Sequence, residues 1–453
     1  MAEAAFFASQ QDREEKVFRR VSRRFLWLLF ILVVINFMDR TNIGFAALTM
    51  NKDLALSASV FGLAVSVFSA GYMLFEIPSN LIMARAGARK WLSRIVITWG
   101  LLASACALVT GASSLITMRT LLGLAEAGFL PGLLLYMTYW FPQYHRARAQ
   151  VTFLIAQPVA NVIGPLLSGL IMSLDGAWGI AGWRWLFLLE GLPAVIFGIF
   201  ALFYLTDRPA EAKWLSEEEK ATALATLERD AAARDRAIPA HPTHSLTRQI
   251  LSRNMLLLSF TFATMVANFN ALAIWLPQIV RGITGPGAPY WQIGILAAIP
   301  PLVTLVSIPF WSMRSDRQRE RYWHCVAPLG VAVLGWCFAA AVAQPALQLV
   351  GMTVASVASI AAWPVFLTLP SLVLPRAAHP AGIAFLTTIG LGGAVVSPLI
   401  VGVIKDLTGS FNGGLGAVGL LLAVGVGLML LVPRSLLAAP GEIPGAAPQP
   451  TAS

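Results

Sequence analysis

Six long apolar runs, a charged interval and six more apolar runs divide this chain. Each run reaches the roughly 20 residues that a helix needs to cross a bilayer. The first six lie at about 25–46, 59–82, 91–110, 114–137, 149–173 and 183–205. The second six lie at about 253–279, 290–313, 323–343, 346–373, 381–403 and 413–432. In lipid every backbone N–H and C=O must find its partner within the protein, so runs of this kind form helices. Only 12% of the residues are charged, about half the share in a soluble globular protein. The expected fold class is an all-α membrane protein, with twelve transmembrane helices in two six-helix bundles.

The charges that exist are unevenly placed. Arg19, Arg20, Arg23, Arg24, Arg85, Arg89, Lys90, Arg94, Arg146, Arg148, Arg314, Arg317, Arg319, Arg321 and Arg376 fall on one side of the twelve spans. The other side carries only Lys52, Arg184, Arg281 and Lys405. Positive charge holds loops in the cytoplasm, so both termini are expected there. The net charge of +10 then reflects topology and not nucleic-acid binding.

The resulting organisation is a cytoplasmic N-terminal tail (1–24), a first bundle (25–205), a linker (206–252), a second bundle (253–433) and a disordered tail (434–453). The N-terminal segment, charged from Asp12 to Arg24, has no small-residue cleavage site and reads as a retained first helix. In the linker, Ser216 is placed to cap a surface helix reaching Arg236. Cys106, Cys325 and Cys337 fit neither a disulfide framework nor a zinc site and read as packing residues. No nucleophile–base set, metal cluster or phosphate loop is visible, so neither an enzyme nor a cofactor is expected.

Against this apolar background, Asp39, Arg40, Arg119 and Glu126 stand inside spans. A charge in mid-bilayer costs several kcal/mol on the mildest scales, so such residues usually mark a path for protons or charged solutes. At about 1.5 Å per residue, Asp39 lies about 21 Å from the cytoplasmic edge and Arg119 roughly 9 Å from the other. The two arginines and Asp39 therefore share a level in a core about 30 Å thick. Glu126, seven residues after Arg119, lies on the same helix face and about 10 Å further in. The first and fourth spans are expected to line one cavity, with Asp39 and Arg119 as an acid–base pair. Arginine offers a planar fork to a carboxylate. A buried carboxyl without a compensating cation can load and release protons near neutral pH. The alternative for each group is a static ion pair between helices.

Glu76 and Glu190 are read as structural. Glu76 is assigned to a gate pair near the basic loop at 85–94, and Glu190 to the outer part of the sixth span. The second bundle has no acid inside its seventh, eighth, tenth or eleventh span, so proton coupling is placed in the first. Asn268, Asn270, Trp363 and Thr387 are candidates for substrate contact from the second. For Asn268, Asn270 and Trp363, interhelical or interfacial roles are the alternatives.

Several segments resemble known signatures. Met83–Lys90 with Trp91 and Arg94, and its counterpart Ser315–Arg321, resemble the loop motif of the major facilitator superfamily. Arg119-x-x-x-Gly123 and Gly164-Pro165 are similar to two others. The run from Tyr139 to Arg148 (YWFPQYHRAR) is more specific, as are Ile77–Asn80, Glu126–Gly128, Gly182–Phe187, Glu190–Pro193 and Thr206–Pro209. Together they resemble the anion:cation symporter family, whose bacterial members move sugar acids, tartrate, phthalate and other organic acids with protons. The resemblance covers about residues 20–433.

It implies a proton-coupled uptake system in the cell inner membrane, working as a monomer on a small organic anion and a proton, with the lipid bilayer as its other partner. Asp39 and Glu126 fall on proton-coupling positions, Arg40 and Arg119 on anion-binding positions, and Tyr72 and Gln157 on substrate-contact positions. Glu76, Arg85, Arg89, Asp316 and Arg317 fall in the gating regions, although Ala84 replaces the usual acid of the first loop. In the eleventh span Thr387 and Leu391 stand where asparagines are expected, which favours a less polar or aromatic acid over a sugar acid. A ligand sensor without net flux and an export antiporter are the competing readings.

Overall fold

The computed structural model describes residues 2–237, 246–375 and 378–437. Arg376 and the segment from 438 onward, part of the expected tail, lie outside them. Among the described residues there is no β-strand.

The first half comprises α1 (Ala2–Asp53), α2 (Ala58–Ala86), α3 (Ala88–Ala105), α4 (Ala112–Glu126), α5 (Phe129–Trp140), α6 (Gln143–Met172) and α7 (Gly182–Tyr204). The linker holds α8 (Glu217–Ala237) and α9 (Leu246–Ile250). The second half comprises α10 (Arg253–Thr284), α11 (Tyr290–Gln318), α12 (Tyr322–Ala341), α13 (Pro345–Phe366), α14 (Pro370–Val373), α15 (His379–Thr408) and α16 (Phe411–Leu430). A short α17 (Arg434–Leu437) follows. Among the described residues, twelve spans are long and apolar enough to cross a membrane; the fourth is built from α4 and α5.

Three boundaries differ from expectation. The N-terminal segment is helical and continuous with the first span, because α1 runs unbroken from Ala2 to Asp53. Its extension is rich in helix formers and is tied to α8 by Arg13–Glu218 at 2.7 Å and Arg20–Glu219 at 2.8 Å, and by an Arg229–Glu14 pair. At the other end, Arg434–Leu437 is helical and Leu437 is buried, where disorder was expected.

The third departure is the break in the fourth span. Gly128 adopts φ +85°, a left-handed conformation that glycine takes without steric cost. A Cβ there would meet Ser79 Oγ of α2 at 2.5 Å, so close packing also demands glycine. The expected linker helix is present with a reciprocal cap: Glu219 N donates to Ser216 Oγ at 3.2 Å and Ser216 N to the Glu219 carboxylate at 2.8 Å.

The halves meet through α2 on α15, α6 on α11 and α1 on α10. At the ends of these helices distal to the chain termini, backbone approaches backbone. Added Cβ atoms would lie 2.4 Å from Pro398 O at Gly62, 2.3 Å from Ala58 O at Gly402, and 2.7 Å from Ile274 O at Gly44. Gly169 and Gly294 make the same kind of contact between α6 and α11. Asp406, near the end of α15, accepts from Ala58 N (2.9 Å), Ser59 N (2.7 Å) and Ser59 Oγ (2.5 Å). A carboxylate of one bundle thus caps the first turn of a helix in the other, where free N–H groups and the helix dipole favour negative charge.

This cap holds the distal ends of the bundles together. Replacing Asp406 by Ala should cost the packed arrangement about 1–2 kcal/mol and raise the population with separated ends several-fold. Distance distributions between spin labels at the distal ends of α2 and α15 would broaden towards longer separations. Unchanged distributions would contradict the role of the cap.

Candidate functional site

The polar interior of the first bundle starts on α1. Asn36, Asp39 and Asn42 recur every three residues, so they share one side of the helix, and all three are buried. Glu126 enters from the last residue of α4, just before the Gly128 break. A carboxylate at a helix C-terminus faces the unfavourable end of the helix dipole, and two donors from α1 offset this. Arg40 Nε lies 2.5 Å from Glu126 Oε1, and Asn36 Nδ2 donates to the same oxygen at 2.8 Å. Glu126 is fully buried, while the Arg40 side chain keeps 20% of its exposure. The Arg40 guanidinium also lies over the Tyr72 ring of α2, 4.5 Å from its centroid.

Arg119 is arranged differently. It is buried, and none of its three guanidinium nitrogens has a hydrogen-bond partner. It lies over the Phe68 ring at 4.6 Å, within electrostatic reach of Asp39. The expected Asp39–Arg119 ion pair is absent within 4.0 Å among the described residues; the close pair is Arg40–Glu126. Helix rotation and the break after Glu126 decide this, and neither is visible in residue spacing. Asp39 instead accepts from Asn42 at 3.3 Å, leaving its second oxygen unpartnered.

A central cavity of about 490 Å³ lies between the bundles. Its wall includes Thr41, Gln157, Asn161 and Ser168 from the first half, and Phe269, Thr304, Ser356 and Trp363 from the second. Among the described residues, no ionisable side chain lines it. The charged quartet was expected to line the void; it sits behind the wall, with Thr41 beside Arg40 as the bridging position.

Gln157 and Trp363 line the cavity. Asn268 does not: it donates to Ser359 Oγ at 2.9 Å and accepts from Trp336 Nε1, inside the second bundle. Asn270 returns its amide to Val266 O at 3.0 Å, and Thr387 its hydroxyl to Ile383 O and Ala384 O; neither lines the cavity. A lone polar residue in an apolar helix can bind its own backbone, and sequence does not distinguish this from ligand contact.

The expected gate residues are also paired otherwise. Glu76 makes no ion pair with the basic loop among the described residues; its carboxylate lies within electrostatic reach of Arg40. Arg89 meets Asp207, with 3.7 Å between Nε and the carboxylate and 2.8 Å from its backbone N–H. Asp316 pairs with Arg321 at 2.8 Å and not with Arg317. Arg85 and Arg317 are exposed. Sequence reading missed Asn36, Asn42, Asn161 and Ser168; the three-residue polar repeat on α1 is the signal that would have found the first two.

Comparison with known proteins agrees with this architecture. The profile of the Major Facilitator Superfamily matches residues 29–398. An Agrobacterium vitis protein named “Putative tartrate transporter” is 40% identical, over 94% of this chain and 93% of its own. The “Quinolone resistance transporter” of Acinetobacter baumannii is 35% identical, over 93% and 96%. Among solved structures, a bacterial homologue of the human lysosomal transporter Spinster, inward-facing and unoccupied, superposes with a TM-score of 0.74. It shares 17% identity and covers 93% of this chain and 98% of its own.

The pairing has a stability consequence. Removing one partner of a buried ion pair leaves an uncompensated charge, so Glu126→Ala should destabilise the protein by on the order of 3 kcal/mol. The double substitution Arg40→Gln with Glu126→Gln should cost markedly less. Thermal unfolding of detergent-solubilised protein reads both, and equal losses would refute the pairing. Asn268→Ala should cost about 1–3 kcal/mol by leaving Trp336 Nε1 unpaired, with ligand affinity unchanged in a binding assay.

Proposed function

We propose that this chain, which belongs to the Major Facilitator Superfamily, is a proton-coupled symporter that takes up an organic acid anion across the cell inner membrane. The observation that carries the reading is the Arg40–Glu126 pair: a guanidinium that keeps part of its exposure, held by a carboxylate with none. When Glu126 takes a proton, the charge holding Arg40 is lost. Arg40 then offers its fork to the carboxylate of an anion entering beside Thr41. Arg119, with no hydrogen-bond partner, adds positive potential behind it. Loss of the proton restores the pair and displaces the anion. Proton and anion thus occupy the site together or not at all, which is the requirement for symport. Asp39, within electrostatic reach of both Arg119 and Glu126, is the second coupling carboxyl.

The cavity suggests the kind of acid. Phe269, Leu272, Leu276 and Trp363 present apolar and aromatic surface, while Gln157 and Asn161 supply a few hydrogen-bonding groups. A small acid with an apolar or aromatic body suits this wall better than a polyhydroxylated sugar acid. The excess of Lys and Arg on the side of the termini supports a cytoplasmic placement for that side. A second reading, export by antiport, draws on the relative named for quinolone resistance.

Reconstituted in liposomes, the protein should accumulate mono- or dicarboxylic acids when the outside is acidic, and stop when the proton gradient is collapsed. Glu126→Gln should abolish coupled accumulation while anion exchange persists. Arg119→Ala should weaken binding by tenfold or more. Full coupled uptake by both variants would overturn the assignment. Accumulation against an outward-directed proton flux would favour antiport.

A further inference from the structure

Glu190 on α7 is a buried carboxyl that the symport cycle leaves unused. Ser168 Oγ of α6 donates to its Oε1 at 2.8 Å, and Oε2 has no hydrogen-bond partner. Ser168 belongs to the cavity wall. On its other side Glu190 adjoins Asn42, whose amide donates to Asp39 at 3.3 Å. One line of polar side chains therefore runs from the cavity through Ser168, Glu190 and Asn42 to Asp39. Ser168, Glu190, Asn42 and Asp39 are all buried.

From α1, Asp39 lies within electrostatic reach of Glu190. On α3, Ile95 to Ala105 includes no ionisable residue, and on α6 neither does Ala149 to Ser173. On α7 itself Arg184 is occupied by the carbonyls of Ala107 and Val109. Around Asp39 stand Arg119, Arg40 and Glu126, with the Cys106 thiol beside Arg119 and Tyr72 and Glu76 beyond Arg40. Arg40 and Glu126 neutralise each other. Arg119 is then the remaining guanidinium and acts on Asp39, while Glu190 meets Asp39, Asn42 and Ser168; two carboxyls share one cation. Two carboxylates in a shared dry site do not both ionise.

We infer that Asp39 and Glu190 form a proton-sharing pair, holding one proton between them at rest and connected to the cavity through the Ser168 hydroxyl. Transfer conserves atoms: Ser168 gives its hydrogen to Glu190 and takes another from the cavity side, ending unchanged. The proton belongs to the pair and not to either residue. This deepens the symport reading and rests on it for its role in coupling, because the pair sets how many protons the cluster carries before the anion arrives.

Infrared spectroscopy of the full chain in nanodiscs, with no substrate present, tests the pair. The wild type should show the C=O stretch of a protonated buried carboxyl at neutral pH. E190Q should lose it, because two acids then balance two arginines. S168A should keep the band at a shifted frequency, with slower exchange into deuterium oxide. Absence of the band in the wild type, or its persistence unchanged in E190Q, overturns the inference. If E190Q does not fold, the wild type and S168A decide, and an S168A band with unaltered frequency and exchange also overturns it. Since these spectra need no transport, failure of the pair and failure of the symport reading are separable: a missing band leaves uptake untouched, and missing uptake leaves the band.

Discussion

Every ionised group placed in the hydrocarbon must be compensated from within the protein, and in the first bundle that need organises the interior. Glu126 is tolerable at the end of α4 because Arg40 and Asn36 both reach it from α1. Those donors are available because α1 presents Asn36, Asp39 and Asn42 along one side, with Arg40 at its edge. The Gly128 break ends α4 at Glu126 and starts α5 on a new path. Interrupted helices of this kind occur in transporters where irregular backbone borders a site and not lipid.

A second constraint acts between the bundles. Glycines at positions 44, 62, 169, 294 and 402 let helices of opposite halves touch through their backbones at the distal ends. Such contacts leave few side chains to untangle when the halves separate. Asp406 adds a directional tie that bonds to one helix end and to nothing deeper. Tight but shallow contact at one end, with a cavity behind it, is the geometry that alternating access requires: a seal that can be broken without exposing a packed core.

Much of this was legible in the residues. The twelve spans follow from hydropathy, and the α8 cap from Ser216 followed three residues later by Glu219. Asp39, Arg40, Arg119 and Glu126 announced themselves as charges without solvent. Their partners did not. Residue spacing aligned Arg119 with Asp39, whereas the fold joins Arg40 to Glu126. Asn268 fits a ligand contact or an interhelical bond equally well by residue type, and the fold makes it the bond to Ser359 and Trp336. Glu190 read as a structural acid of the sixth span, and its position beside Asn42 and the cavity wall required three helices to be placed at once.

Hydropathy along the chain fixes the twelve spans of this protein. A membrane imposes a length on each span and forbids unpaired backbone polar groups, and both rules act along the chain. Helix packing sets which carboxylate meets which guanidinium, and which side chains reach the void. Those outcomes depend on helix rotation, on the kink at Gly128 and on the approach of glycine backbones. Each shifts a side chain by several ångströms, about the whole range over which an ion pair or hydrogen bond exists.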